Sequence, residues 1–209
     1  TKEIRMVSIY RDTLLNLSDG TYQKCNAAYS YGGPQMAINM LNMNLDLDIE
    51  DYVTVDFSAI ADGIDMLGGI DIEITEEELK ELNYHLVGTA MAIGRESPFV
   101  QHAGMVHLNG MQATTYARIR STAGGDFTRT ERQRLVIEKV VEKVKKTDLQ
   151  TLDAMINELF SHVSTSFTLP EILMYATAYK EYTLGENTGF PYSDLLSTDT
   201  VSGYGSIVI

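Results

Sequence analysis

Two hydrophobic periods alternate along this chain, and the changes between them mark its elements. Residues 4–10, IRMVSIY, are dense in β-branched and apolar side chains and predict a buried strand. Residues 18–24 are polar and read as a loop. Pro34 suits the first turn of a helix, and Met36, Ala37, Met40, Leu41 and Leu45 follow at helical spacing. That stripe reads as core-facing, although four methionines between 36 and 66 would also suit the lining of a long flexible lipid. Tyr52 to Phe57 alternate as a strand. Ser58 then caps a helix bearing Ile60, Ile64 and Leu67, which Gly68-Gly69 ends before a strand from Ile70 to Ile74. This gives a β-α-β unit.

Thr75-Glu76-Glu77-Glu78 has the form of a helix start with acidic residues in its first turn, where the dipole favours them. Residues 84–105 carry no clear period. Leu108-Asn109-Gly110 precede a helix over Met111–Arg118. A long amphipathic helix follows to about Lys146, with Leu135, Val136, Val140 and Val144 on its inner side. Two further helices are predicted, near 148–162 and 169–181, and then a strand or two that end on Ser206–Ile209. The pattern is that of an α/β fold, a central mixed sheet flanked by helices, and no repeat or linker interrupts it.

Composition narrows the function. With 209 residues, 44% of them hydrophobic, the chain suits a single domain with a substantial core. No apolar run is long enough to span a bilayer. The chain opens straight onto a strand-like run without a signal peptide, so a membrane anchor is expected upstream. The lone Cys25 excludes an internal disulfide and a multi-cysteine zinc site. A pI near 4.6 argues against general nucleic-acid binding. His85, His102 and His107 lack metal-like spacing and read as ordinary polar histidines.

One stretch runs against the charge of the rest. The net charge is −13, yet residues 118–134 hold five arginines against Asp126 and Glu131, a local +3 that leaves −16 elsewhere. Arginine suits phosphate because its planar fork donates in pairs and keeps its charge. Arg129 and Gln133 are four apart on the long helix, with Arg132 beside them. Arg118 and Arg120 share a face if that piece is extended, and Gly124-Gly125 allows the chain to turn back. Asp126 is placed to cap the helix. Arg11, at the end of the first strand, is where functional groups of open α/β sheets gather. Arg11, Arg118, Arg120, Arg129 and Gln133 together would suit a pyrophosphate better than a single phosphate. There is no P-loop string and no Gly-x-Ser-x-Gly elbow.

Five strings in order resemble the LytR–CpsA–Psr family: SIYRDT at 8–13, NAAYSYGG at 26–33, VDFSAI…LGGIDIEI at 55–74, HLNGMQATTYAR at 107–118 and YARIR…GGDFTRTERQ at 116–133. The likeness runs from residue 4 to about 182, with Tyr10 standing where the family often has proline. It implies a membrane-anchored phosphotransferase on the extracytoplasmic face of a Gram-positive bacterium. Such an enzyme moves a glycopolymer, teichoic acid or capsule, from a polyprenyl-pyrophosphate carrier onto peptidoglycan. In that reading Arg11, Arg118, Arg120, Arg129 and Gln133 grip the pyrophosphate, Arg118 and Arg120 stabilise the leaving phosphate, and Asp126 orients an arginine or activates the acceptor hydroxyl. A plain capping role for Asp126 stands beside this.

The family also implies Mg2+, but its aspartate ligands lie in motifs ahead of the strand that opens this chain. No metal ligand is assigned here, and weak or no Mg2+ binding is expected, with transfer activity in doubt. A glycopolymer- or polyprenyl-phosphate-binding module without chemistry, and a polyprenyl pyrophosphatase, are the alternatives. A transcriptional regulator is disfavoured by the acidic composition.

Overall fold

A computed structural model of the chain describes residues 2–209; Thr1 lies outside the described residues. The elements run β1 (Glu3–Ile9), β2 (Leu14–Asn16), β3 (Tyr22–Lys24), α1 (Asn26–Leu45), β4 (Val53–Val55), α2 (Phe57–Met66), β5 (Ile70–Ile74) and α3 (Glu76–Ile93). They continue with β6 (Gly104–Leu108), α4 (Gly110–Tyr116), α5 (Gly125–Val144), α6 (Leu149–Leu159), β7 (Val163–Thr165), α7 (Leu169–Ala178), β8 (Thr183–Phe190), β9 (Thr198–Val201) and β10 (Gly205–Val208). The architecture is mixed α/β, and the strands pair as β1–β8, β2–β3, β4–β7, β5–β6 and β9–β10.

The chain forms two compact units. Val55–Ser164 and Thr168–Leu184, with residues 2–4, make the first; Arg5–Thr54, residues 165–167 and Gly185–Ile209 make the second. The chain passes between them several times, so no single change of composition marks a boundary.

The first unit is built on the β5–β6 antiparallel pair, in register from Ile70 opposite Leu108 to Ile74 opposite Gly104. Its period-two pattern buries Ile70, Ile72 and Ile74 and leaves Asp71 and Glu73 outside. Leu82, Ala113, Tyr116, Ile119 and Val136 complete that core. Every residue of α4 is buried. Gly110 opens that helix so close to α2 that a Cβ there would sit 1.8 Å from the Ala61 carbonyl oxygen. In the second unit Leu15, Leu17, Cys25, Ala28 and Met40 form the core, with Met36, Ala37 and Leu41 packed on it. The methionine stripe is therefore core.

The structure corrects several local expectations. β1 is not a buried strand, for Val7 is 52% exposed. Residues 18–24 include β3, which makes a hairpin with β2 where Ser18 and Gly20 take positive φ. Helix α1 begins at Asn26, eight residues before Pro34; Gly32 and Gly33 kink it, and Pro34 opens its second segment. Asp56, not Ser58, caps α2, its carboxylate accepting from the Ala59 NH at 2.8 Å. The strand–helix–strand order over 53–74 holds, but β4 and β5 do not pair with each other. Three strands, rather than one or two, follow residue 182. The cap at Thr75 holds in full, with Glu78 closing a capping box.

Candidate functional site

The arginine stretch links α4 to α5, and one buried side chain sets its geometry. Ile119 is fully buried between Arg118 and Arg120. With its side chain committed to the core, the arginines on either side turn the other way, and both line one cavity of about 500 Å3. Arg129 and Gln133 of α5 enter the same cavity, as do Phe57 of α2 and His85, Gly88 and Thr89 of α3.

Each guanidinium is held from behind. Arg118 lies over the Phe57 ring at 4.1 Å and donates from Nη1 to Thr89 Oγ1 at 3.3 Å. Asp126 Oδ1 takes Arg129 Nη2 at 2.7 Å and Arg120 Nε at 3.4 Å. Asp126 thus ties two arginines together from the first turn of α5. It is not the N-cap. Gly124 takes that position with φ 87°, and a Cβ there would come within 2.0 Å of Thr128 Oγ1, so only glycine fits. Arg129 Nε is buried with no hydrogen-bond partner. A buried, unpaired guanidinium donor beside an open cavity is a place for an anionic oxygen.

Arg132 departs from its expected place beside Arg129. It is 4% exposed and turns inward, donating from Nε to Glu78 Oε1 at 2.8 Å, from Nη2 to Thr122 Oγ1 at 2.6 Å and from Nη1 to the Ile119 carbonyl at 3.2 Å. It stitches the arginine turn to the start of α3. Burial works against ionisation of Glu78, but the Thr75 NH and the Arg132 guanidinium outweigh it and hold the carboxyl below its ordinary value. Burial, then the nearby Glu78 charge, pushes the Tyr116 hydroxyl up to about 12.

Arg11 belongs to the second unit, where its Nε lies 3.5 Å from Asp12 Oδ1; Asp12 also meets Lys24 Nζ at 3.1 Å. The 500 Å3 cavity is built from the first unit.

A second cavity of about 450 Å3 shares Phe57, Arg118 and Gln133 with the first and is otherwise almost wholly apolar. Ile60 and Ile64 of α2, Leu67 just past its end, Val136, Val140 and Val144 of α5, and Leu159 of α6 line it. The inner side of α5 read from the sequence is thus in part a cavity wall. An arginine-lined space and an apolar space meet at one wall, which fits an amphiphile with an anionic head.

The sequence reading missed Phe57, Thr89 and His85 as site residues. A signal existed: Glu81, His85 and Thr89 recur every four residues along α3, a polar stripe on one helix face. Magnesium does not fit the residues present. Asp126 is engaged by two guanidiniums and Asp12 by Arg11 and Lys24, and the described residues hold no group of three or more His, Cys, Asp or Glu that could ligate a metal. Among the described residues no helix is long and apolar enough to cross a membrane.

The chain is 30% identical over 184 residues to the polyisoprenyl-teichoic acid–peptidoglycan teichoic acid transferase TagU of Bacillus licheniformis, across 87% of this chain and 55% of that protein. It is 29% identical over 187 residues to the corresponding transferase TagV of Bacillus subtilis, across 87% of this chain and 46% of that protein. It therefore spans about half the length of these curated relatives. The crystal structure of Bacillus subtilis TagV superposes with a TM-score of 0.75 at 25% identity, over 99% of this chain and 76% of that one. The LytR_cpsA_psr family model matches residues 1–192, and the chain belongs to that family.

Proposed function

We propose that this chain grips a polyprenyl-pyrophosphate-linked glycopolymer and transfers the polymer, with one phosphate, onto a hydroxyl of peptidoglycan, releasing polyprenyl phosphate. The single observation that carries this reading is the common wall of the arginine cavity and the apolar cavity at Phe57, Arg118 and Gln133. The lipid chain lies along α2, α5 and α6. The pyrophosphate meets Arg118, Arg120, Arg129 and Gln133, and the unpaired Arg129 Nε supplies a donor that no protein group uses. Arg118 and Arg120 stabilise charge on the leaving phosphate, and Asp126 orients Arg120 and Arg129. Phosphoryl transfer suits such a site because positioning and charge stabilisation supply most of its catalysis. The membership in this family and the names of the relatives support the same reading, and such a transfer would be carried out at the extracytoplasmic face of the cell membrane.

Two calorimetric titrations test it. Arg118→Ala is expected to weaken binding of a short-chain polyprenyl pyrophosphate at least tenfold, since a bond to a charged group contributes about 1.5–3 kcal/mol. Val140→Phe fills the apolar cavity and is expected to abolish the affinity advantage of long-chain over short-chain donors, each buried methylene being worth about 0.8 kcal/mol. Equal binding by wild type and Arg118→Ala rules the arginine grip out. Donor binding without transfer to a peptidoglycan fragment leaves a binding module instead.

A further inference from the structure

The donor-gripping cavity has a wall that the arginines do not explain. His85 of α3 stands in it, and its polar partners are Ser121 and Glu81 rather than an arginine. Its Nε2 lies 3.2 Å from Ser121 Oγ and 3.5 Å from Glu81 Oε2. The Ser121 hydroxyl donates to Glu81 Oε2. With its proton committed there, the Ser121 oxygen is left to accept, so Nε2 carries the ring proton of the neutral imidazole. Glu81 lies behind both groups. Nδ1 is then the bare ring nitrogen. A neutral imidazole with its tautomer fixed by a hydroxyl–carboxylate relay is the arrangement of a general base.

The surroundings fit an acceptor. Tyr84 is 77% exposed and packs edge-on to His85 with ring centroids 5.1 Å apart. Gly88, one turn along α3, leaves open space where a side chain would stand. The charged groups that face this region are Glu81 on α3 itself, Arg118 and Arg120 from the turn, and Arg129 from α5. Asp126, the other acid near the cavity, has its oxygen engaged by two guanidiniums.

Resting on the transfer reading above, we propose that the acceptor sugar enters over the α3 face at Tyr84, His85 and Gly88, and that His85, oriented by Ser121 and Glu81, is the general base for its hydroxyl. The acceptor oxygen forms its bond to the glycopolymer-bearing phosphorus. The bond from that phosphorus to the bridging oxygen breaks, and polyprenyl phosphate leaves with the electron pair. The hydroxyl proton passes to Nδ1, and the resulting imidazolium faces the Ser121–Glu81 relay.

The test compares wild type with His85→Gln and Ser121→Ala, using a polyprenyl-pyrophosphate-linked oligosaccharide as donor and a soluble peptidoglycan fragment as acceptor. Donor binding is measured separately by calorimetry, and the fold is checked by circular dichroism. His85→Gln should lower kcat by about a hundredfold or more with donor binding within twofold of wild type. Ser121→Ala should lower kcat less. Transfer by His85→Gln within threefold of wild type, or a loss of donor binding equal to the loss of rate, would each overturn the base role. Wild type that binds donor but transfers nothing also overturns it, whereas wild type that binds no donor fails the transfer reading first and this one with it.

Discussion

Arg132 and Arg129 lie three residues apart on one helix and have opposite duties. Arg129 keeps a buried, unpaired donor beside the cavity, while Arg132 spends its guanidinium on Glu78, Thr122 and the Ile119 carbonyl. Removing one partner of a buried pair leaves an uncompensated charge, so Arg132→Ala should destabilise the protein by about 3–5 kcal/mol in urea unfolding. The same pair sets an acid limit. Glu78 has a folded pKa below its ordinary 4.5, so its contribution is complete above that value and is lost as pH falls through the lower folded one. Urea unfolding between about pH 5 and 2 should show this decline, and Glu78→Gln should flatten it; an unchanged slope would remove Glu78 as its source.

At the level of elements, the site depends on how tightly α4 is seated. Gly110 brings α4 against the Ala61 carbonyl, and its NH donates to Asp65 Oδ1 at 2.6 Å. Ile119, three residues past the end of α4, is what aims Arg118 and Arg120. Gly110→Ala should therefore push α4 off α2, at a cost of about 1–3 kcal/mol or more. It should weaken donor binding too, although Gly110 lines neither cavity; full stability together with full binding would show that the spacing of these helices does not position the arginines. Helix α5 shows the limit of reading by period. The residues of its inner side were legible from 3.6-residue spacing, but spacing cannot say whether a helix face meets another side chain or an open cavity.

For the whole molecule, the contrast is between a chain of net charge −13 and one cavity lined by three arginines. A metal ion is the other usual means of neutralising a pyrophosphate, and Asp126, the carboxylate among this cavity's arginines, is already engaged by two of them. Titration with Mg2+ alone is expected to give no tight stoichiometric isotherm in calorimetry. A one-to-one, micromolar or tighter isotherm would show that the engaged carboxylates open to accept the ion.

The sequence by itself determined much of this. The strand–helix–strand order over 53–74, the Thr75–Glu78 cap, the core stripe of α1, and the gathering of Arg118, Arg120, Arg129 and Gln133 around a Gly-Gly turn were all legible. Each rests on local chemistry: side-chain period, capping, and the φ freedom of glycine. Five ordered motifs carried the family. Tertiary structure decided the rest. It turned Arg132 inward because Glu78 waits there from a helix 54 residues away. It moved Asp126 from cap to tether, because Gly124 could take the positive φ that starts α5. It divided the chain into two units, with Arg118, Arg120 and Arg129 in the first and Arg11 in the second. It also brought His85 to the cavity: the four-residue run Glu81, His85, Thr89 marks a polar helix face but not what that face will meet. Partners distant in sequence meet only through packing, and neither period nor composition records which of two faces will find a partner.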